Sequence, residues 1–382
     1  ANARSMRRAI EWVRSGGLLV IFPAGEVAHL DWKRRAVVDP PWNPHVARLV
    51  RLTRAPVVPL RFPGRNGALF QVAGLLHPRL RTALLPRELA NKRAHTIDLR
   101  VGHPIPHARL DACGGDADLT AYLRMRTELL QPVRERAPRR APAGPVAPAQ
   151  DVHRLVRELE GLPVSRRLVT HGPFDVFAVT AAEAPDTLVE IGRLREETFR
   201  AVGEGTGRPL DLDRFDEHYT HLVLWQREER AIAGAYRLAA SDRILRVQGP
   251  GGLYANTLFD LPHAFFTRLG PALEMGRSFV AARHQRSFQP LMLLWKGIGA
   301  WVVRHPWYRV LFGPVSISSR YTPVSRGLMV EWLTRRCLDP QLAALARPRQ
   351  PVRLGKDVRR TAGETAGTVA TLDELSSIVA DL

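Results

Sequence analysis

The chain has 382 residues, with 56 lysines and arginines against 37 aspartates and glutamates, a formal charge of +19 and an isoelectric point near 11.2. Cys113 and Cys337 are too few for a disulfide framework or a metal site, which leaves a reducing compartment as the natural setting. No apolar run of about 18 residues is long enough to span a bilayer, which argues against a pore-forming or membrane-inserting protein.

Lys33, Lys92, Lys296 and Lys356 are the only lysines, so nearly all the positive charge is arginine. Arginine suits phosphates and carboxylates. Anionic lipid headgroups, an acidic acyl-carrier protein and nucleic acid therefore all stay open as partners, beside the bland alternative of a GC-rich codon bias. Against nucleic acid, no Gly-rich aromatic sheet motif, zinc spacing or compact basic helix occurs. The chain opens on Ala1 and enters a helix–strand pattern almost at once, which points to a longer parent protein.

In chain order, residues 4–14 predict a short basic amphipathic helix with Met6, Ile10 and Val13 inward, ended by Ser15-Gly16-Gly17. Leu18–Phe22 reads as a wholly apolar strand of a buried parallel sheet, running into a tight turn at Pro23-Ala24-Gly25-Glu26, where open α/β sheets put their ligands. A helix follows at His45–Thr53, a strand at Ala55–Phe62, a strand at Thr96–Val101 and a helix at about 117–136. Residues 137–150 are a Pro/Ala-rich linker.

A second domain begins near Asp151. It has a helix to about Leu162, a strand at Phe174–Thr180, a helix at about 185–202, and strands at Thr220–Trp225 and Ala231–Leu238. The run Ala272–Val280 is strand-like but contains Glu274 and Arg277, charges that are costly there unless paired or used. Leu291–Phe312 is broken by Lys296, Arg304, His305, Pro306 and Arg309, and reads as the body of a helix over Ser287–Arg304 followed by a strand at Tyr308–Ser318, with a place in a membrane interface as the alternative. A last helix covers Ser325–Cys337. From about Ala346 the apolar periodicity fades, predicting a loosely ordered tail over 346–382 with a short acidic helix at Leu372–Leu382. The division is thus 1–136, linker 137–150, 151–345 and tail 346–382.

Arg195 with Phe199, Asp213 with Asp216, Arg237, and Glu274 with Arg277 resemble the pattern of acyl-homoserine-lactone synthases, shared with the ornithine-lipid N-acyltransferases of the hemolysin-named family. The later blocks Leu294–Ala300 and Leu311–Ser318 resemble the second group. The resemblance implies an N-acetyltransferase-like (GNAT) α+β fold and transfer of a (3-hydroxy)acyl group from acyl-carrier protein to the amine of an amino acid such as ornithine. No cofactor is expected beyond the carrier's phosphopantetheine thioester, and the expected location is peripheral on the inner face of the cytoplasmic membrane. Glu274, Arg277, Asp213 and Asp216 are then the catalytic candidates, with Glu274 the carboxylate nearest the amine. Arg195, Phe199 and Arg237 are the binding candidates. Phe199, Phe259, Phe265 and Phe266 are read either as an acyl tunnel or as plain core, and the charged groups either as a site or as a structural salt-bridge network. Signal synthesis, with S-adenosylmethionine as the amine, is the alternative reaction, and a non-enzymatic basic membrane- or nucleic-acid-binding protein the alternative class.

The first domain resembles the glycerolipid (lysophosphatidate-type) acyltransferases, implying an α/β fold. Gly17–Glu26 is similar to their Phe-Pro-Glu-Gly-Thr-Arg block, keeping Phe22, Pro23 and Gly25 and placing Glu26 next, with Ala24 and Val27 where the family carries Glu and Arg. Phe22, Pro23, Gly25 and Glu26 are the binding candidates there. The family's His-x-x-x-x-Asp block is expected upstream of Ala1, so the O-acyltransferase domain is expected to be degenerate or truncated.

Overall fold

The computed structural model describes residues 2–31, 36–64, 66–76, 78–93, 96–130, 144–318, 321–352 and 354–380. The chain forms two compact units. Unit 1 comprises residues 1–135, 321–336 and 354–382, and unit 2 residues 136–320 and 337–353.

In unit 1 the helix Asn2–Arg14 ends at Gly16, whose φ of +89° suits the stop that the Gly pair predicts. The helix His45–Thr53 has the expected bounds and packs Ala47 and Val50 against Leu110, Leu119 and Leu123, the last two on the helix Asp116–Glu128. Residues 131–136 of the predicted 117–136 helix, and 137–143 of the linker, lie outside the described residues.

Leu18–Phe22 is not a strand: it pairs with nothing in a sheet, and all five residues are exposed. Strands are made by ladder partners, and apolar character alone supplies none. The Ala55–Phe62 run shrinks to Leu60–Arg61, paired antiparallel with Arg100–Val101, plus one bridge from Val57 to Ile105. No parallel pairing occurs among the described residues of unit 1.

Over 346–370 the tail also differs from expectation, whereas the short acidic helix after it falls where it is predicted. Lys356–Thr368 and Leu372–Ala380 are helices, and Ala362, Ala366, Leu375, Ile378 and Val379 pack with Leu328 and Trp332 of the helix Pro323–Cys337. Alanine every fourth residue makes a helix face as well as leucine does, but carries a weak hydrophobic signal.

Unit 2 is built on one six-stranded sheet. The elements that position the site are α1 (Val152–Glu160), β1 (Arg167–His171), β2 (Phe174–Val179), α2 (Pro185–Ala201), β3 (Thr220–Gln226), β4 (Ala231–Ala240), α3 (Ser241–Gln248), α4 (His263–Leu269), β5 (Ala272–Val280), α5 (Gln289–Arg304) and β6 (Val310–Phe312). The strand order is β6-β5-β4-β3-β2-β1, antiparallel throughout except for β5 with β6. Side chains alternate across a strand. Val176, Leu222, Leu224, Leu238 and Leu273 therefore meet Leu293, Leu294, Ile298 and Trp301 of α5 on one face. Phe177, Val179, Val223 and Ala235 meet Ile191 and Leu194 of α2, with Leu155 and Leu159 of α1, on the other. Residues 144–150 run along this unit, with Gly144 N–H to Gly207 O at 3.2 Å and Ala147 N–H to Pro209 O at 3.0 Å.

Two irregularities shape the sheet beside β5. Between Gly276 and Phe279 the register with β4 slips, so that Arg277 and Ser278 oppose Tyr236 alone, a bulge in which Arg277 takes φ +51°. β6 pairs with β5 only over Ala272–Glu274. It stops at Gly313, φ +158°, where a Cβ would lie 2.0 Å from Met275 O, and Pro314 follows, so the strand expected over Tyr308–Ser318 is cut to three residues. Beyond that point the outer edge of β5 has no strand partner among the described residues.

Candidate active site

The charged groups of unit 2 converge on the sheet face that α2 covers. Asp213-Arg214-Phe215-Asp216 closes on itself: Asp213 N–H reaches Asp216 Oδ2 at 2.8 Å, Phe215 N–H reaches Asp213 Oδ1 at 3.0 Å, and Asp216 N–H reaches Asp213 O at 3.0 Å. Short acids at that spacing cap their own turn. Arg195, on the sheet side of α2, donates from Nη1 and Nη2 to Asp216 at 3.0 and 2.9 Å and from Nε to the Asp211 carbonyl oxygen at 2.9 Å. Arg237 of β4 donates from Nη1 to Asp213 Oδ1 at 2.7 Å and Asp216 Oδ1 at 3.0 Å. Arg277, turned inward by the bulge, lies 3.3 Å from Asp211 Oδ2 and 3.5 Å from Asp213 Oδ2.

Three guanidinium groups and three carboxylates thus interlock. Most of the cluster is sealed from water, and its open end is Asp213 and Arg277, each with a side chain 21% exposed. Asp213 Oδ2 accepts no hydrogen bond and Arg277 Nε donates none. Burial alone would raise the Asp216 carboxyl, but the Arg195 hydrogen bonds and the Arg195 and Arg237 charges outweigh it and hold the group far below the usual carboxylate range. For Asp211 burial wins over Arg195 and Arg277, and its carboxyl is pushed up. His221 of β3 is kept neutral by burial and donates its Nε2 proton to the Asp216 carbonyl oxygen at 2.9 Å.

Glu274 is placed differently from expectation. Its carboxylate ion-pairs with no arginine among the described residues. Oε1 accepts Ala255 N–H at 2.6 Å, while Oε2 accepts the Tyr219 hydroxyl and Tyr254 N–H, the latter at 3.1 Å. The group is 1% exposed, and burial raises its pKa against the pull of those hydrogen bonds. In this geometry Glu274 clamps the Tyr254–Ala255 turn to the sheet. The link to the cluster runs through rings: the Arg237 guanidinium carbon sits 5.0 and 5.3 Å from the Tyr219 and Tyr254 ring centroids, and that of Arg277 5.1 Å from Tyr254.

Arg195, Asp213, Asp216, Arg237 and Arg277 are therefore brought together. Phe199 is not among them, packing instead at the edge of the core beneath α1 and α2. Phe265 and Phe266 belong, with the partly buried Phe259, to a separate core beside α3 and α4, so the four phenylalanines form no common tunnel. Phe22, Pro23, Gly25 and Glu26 lie in unit 1. There Gly25, φ +66°, donates to Phe22 O at 3.1 Å in the predicted turn. Phe22, Pro23 and Gly25 line an open hollow of about 270 Å³ with Met6, Asn43 and His45. Asp211, Tyr219, His221 and Tyr254 complete the unit 2 cluster, and none of them is a candidate on sequence grounds. Asp211 carries a signal in its Asp-x-Asp-x-x-Asp spacing, whereas the tyrosines carry none.

The fold and the cluster define a class. Residues 194–296, which hold every charged group of the unit 2 cluster, match the family model described as an acetyltransferase (GNAT) domain, and the mixed α+β sheet of unit 2 is of that type. The chain is similar to glycine N(alpha)-acyltransferases of Phocaeicola vulgatus, 30% identical over 194 residues, and of Bacteroides thetaiotaomicron, 33% identical over 197. These matches cover 48% and 49% of this chain, and the chain spans 59% and 58% of the relatives' lengths. No solved structure matches the chain.

Proposed function

We propose that unit 2 transfers an acyl group from an acyl-carrier-protein thioester to the α-amine of an amino acid, as a step of membrane-lipid synthesis. Glycine is the acceptor that the relatives' names favour, and ornithine the one implied by the motif pattern. The observation that carries the reading is the bulge on β5, which sets the half-open Asp213–Arg277 pair beside a strand edge that nothing else pairs with among the described residues.

An amino acid is a zwitterion, and the open end of the cluster offers one group for each of its charges. Arg277 receives the acceptor's carboxylate through a planar donor fork. Asp213, the most exposed carboxylate of the cluster, takes a proton from the ammonium through one water, its Oδ2 being closed off from solvent and turned to Arg277. The freed amine attacks the thioester carbon: a C–N bond forms and the C–S bond breaks. The electron pair leaves on a thiolate whose conjugate acid has a pKa of about 8.5, so no strong acid is required, and that thiolate takes up the second proton the nitrogen sheds as the amide forms. The backbone at Arg277–Ser278, outside the regular ladder, supplies N–H groups for the oxyanion. The phosphopantetheine arm, an extended chain of amides, adds to the open edge of β5 as a further strand would.

The test is an assay of the purified chain with long-chain acyl- and 3-hydroxyacyl-carrier protein, supplied with glycine or ornithine and read by mass spectrometry. An N-acyl amino acid is expected. Thioester left intact with both amines, or an acylated lactone formed from S-adenosylmethionine, overturns the reading.

A further inference from the structure

α5 is apolar on two sides. Its inner side, Leu293, Leu294, Ile298 and Trp301, is buried on the sheet. Its outer side carries Phe288 at the N-cap, Met292, Trp295 and Val303, separated by four, three and eight residues and so aligned within a third of the helix circumference. Of these Phe288 is 74%, Trp295 48% and Val303 78% exposed. The stripe is about 22 Å long at 1.5 Å per residue, and Trp307, also half exposed, stands just past its end. An amphipathic helix that merely covers a sheet presents charge to water. This one presents large apolar side chains, a pattern that marks an interaction surface.

The segment that carries it is charged with one sign, although Glu229 and Asp242, from elsewhere in the chain, reach His284 and Tyr308. From residue 275 to residue 330 the sequence contains no aspartate or glutamate, while Arg283, Arg286, Lys296, Arg304 and Arg309 fall before, within and after the helix. Some of these are engaged elsewhere: Arg283 lies 3.4 Å from Glu229, and Arg304 donates to the carbonyl oxygens of Ser165 and Arg167. Arg286, Lys296 and Arg309 are exposed.

We infer that the outer face of α5 is a docking surface for an anionic lipid bilayer, Phe288, Met292, Trp295 and Val303 entering the headgroup–acyl boundary and Arg286, Lys296 and Arg309 meeting the lipid phosphates. Two features select a bilayer. The exposed groups form a continuous apolar ribbon with tryptophans at its middle and end, the arrangement that seats a helix in the plane of an interface. The surrounding cations, free of acidic neighbours over 56 residues of sequence, complement a negative surface. This inference stands on the surface of unit 2 alone and does not depend on the reaction assigned to the cluster.

Flotation of the purified chain with vesicles of mixed phosphatidylglycerol and phosphatidylcholine tests it. Binding is expected, weaker on pure phosphatidylcholine and at high salt. The triple variant Phe288→Ser, Trp295→Ser, Val303→Ser keeps the buried side of α5 and loses one ring contact, that of Trp295 with Tyr236, so its circular dichroism should match the parent while its melting falls slightly. Its vesicle affinity should fall at least about tenfold. Arg286→Gln with Lys296→Gln should lower binding to the anionic vesicles alone. Full binding by the triple variant overturns the inference. So does a wild-type chain that ignores vesicles but dimerises, or captures an acidic carrier protein, through this face in sedimentation experiments.

Discussion

Arg195 and Asp216 form a two-pronged ion pair, Nη1 to Oδ1 at 3.0 Å and Nη2 to Oδ2 at 2.9 Å, with neither side chain more than 2% exposed. The pair ties α2 to the turn that carries Asp213, so the open end of the cluster is aimed by groups that never meet solvent. Removing one partner of such a pair strands the other as a buried charge. Asp216→Asn should cost roughly 3–5 kcal/mol by denaturant unfolding, whereas Asp213→Asn, at the half-open end, should cost far less stability while abolishing most amide formation. Equal stability losses for the two would contradict this division of labour.

Acid should separate the buried carboxylates. Asp216 is depressed in the folded chain, so its contribution is complete above its unfolded pKa of about 3.9 and fades as pH falls towards the folded value. Glu274 is raised, so its contribution is complete below about 4.3 and fades as pH climbs through the folded value. The penalty of Asp216→Asn should therefore shrink on going from pH 7 to pH 3. The penalty of Glu274→Gln should be larger at pH 4 than at pH 7. Parallel pH trends in urea titrations of the two variants would show that the assignment of directions is wrong.

Glu274→Gln bears on mechanism too. The glutamine amide places a donor against Tyr254 N–H, Ala255 N–H or the Tyr219 hydroxyl, leaving a buried donor unpaired at about 1–3 kcal/mol. Glu274 positions the Tyr254 turn and carries no proton in the proposed reaction. The variant should thus lose stability and lower kcat without moving the pH profile of kcat/KM, and a shifted profile would make Glu274 the base.

Arg277 holds a left-handed backbone at φ +51°, a conformation that costs a non-glycine residue of order 1 kcal/mol. Arg277→Gly relieves that cost while deleting the guanidinium. Loss of the pairing with buried Asp211 opposes that relief, so melting temperature should fall modestly, and KM for the amino acid should rise at least about tenfold. An unchanged KM would remove Arg277 from the acceptor site. Arg277→Lys, keeping the charge without the fork, should recover only part of the loss.

Gly313→Ala sets a methyl 2.0 Å from Met275 O at the end of the β5–β6 pairing. The strands must part or the backbone must shift, and a loss of several kcal/mol is expected by analogy with other strained, over-packed sites. A variant that melts with the parent would mean that β6 does not hold β5 in place.

Much of unit 2 was legible from pattern alone. The short apolar runs at 220–225 and 231–238 and the helical spacing over 185–202 mark strands and a helix, because local pattern is a property of consecutive side chains. Glu274 and Arg277 stood out for the same reason, as charges in an apolar strand. The sequence could not say that they part company, the arginine joining the aspartates and the glutamate turning to Tyr219 and Tyr254. A one-residue register slip at the bulge decides that, and a slip has no sequence period. Unit 1 gives the converse case: Leu18–Phe22 has the composition of a buried strand and lies exposed and unpaired, and the tail helices at 356–380 find their core on Leu328 and Trp332. The sequence by itself determined the main elements of unit 2, the basic charge and the acid-free segment that carries α5. Which of them meet was decided by tertiary pairing, since burial and ion pairing depend on neighbours distant in the chain.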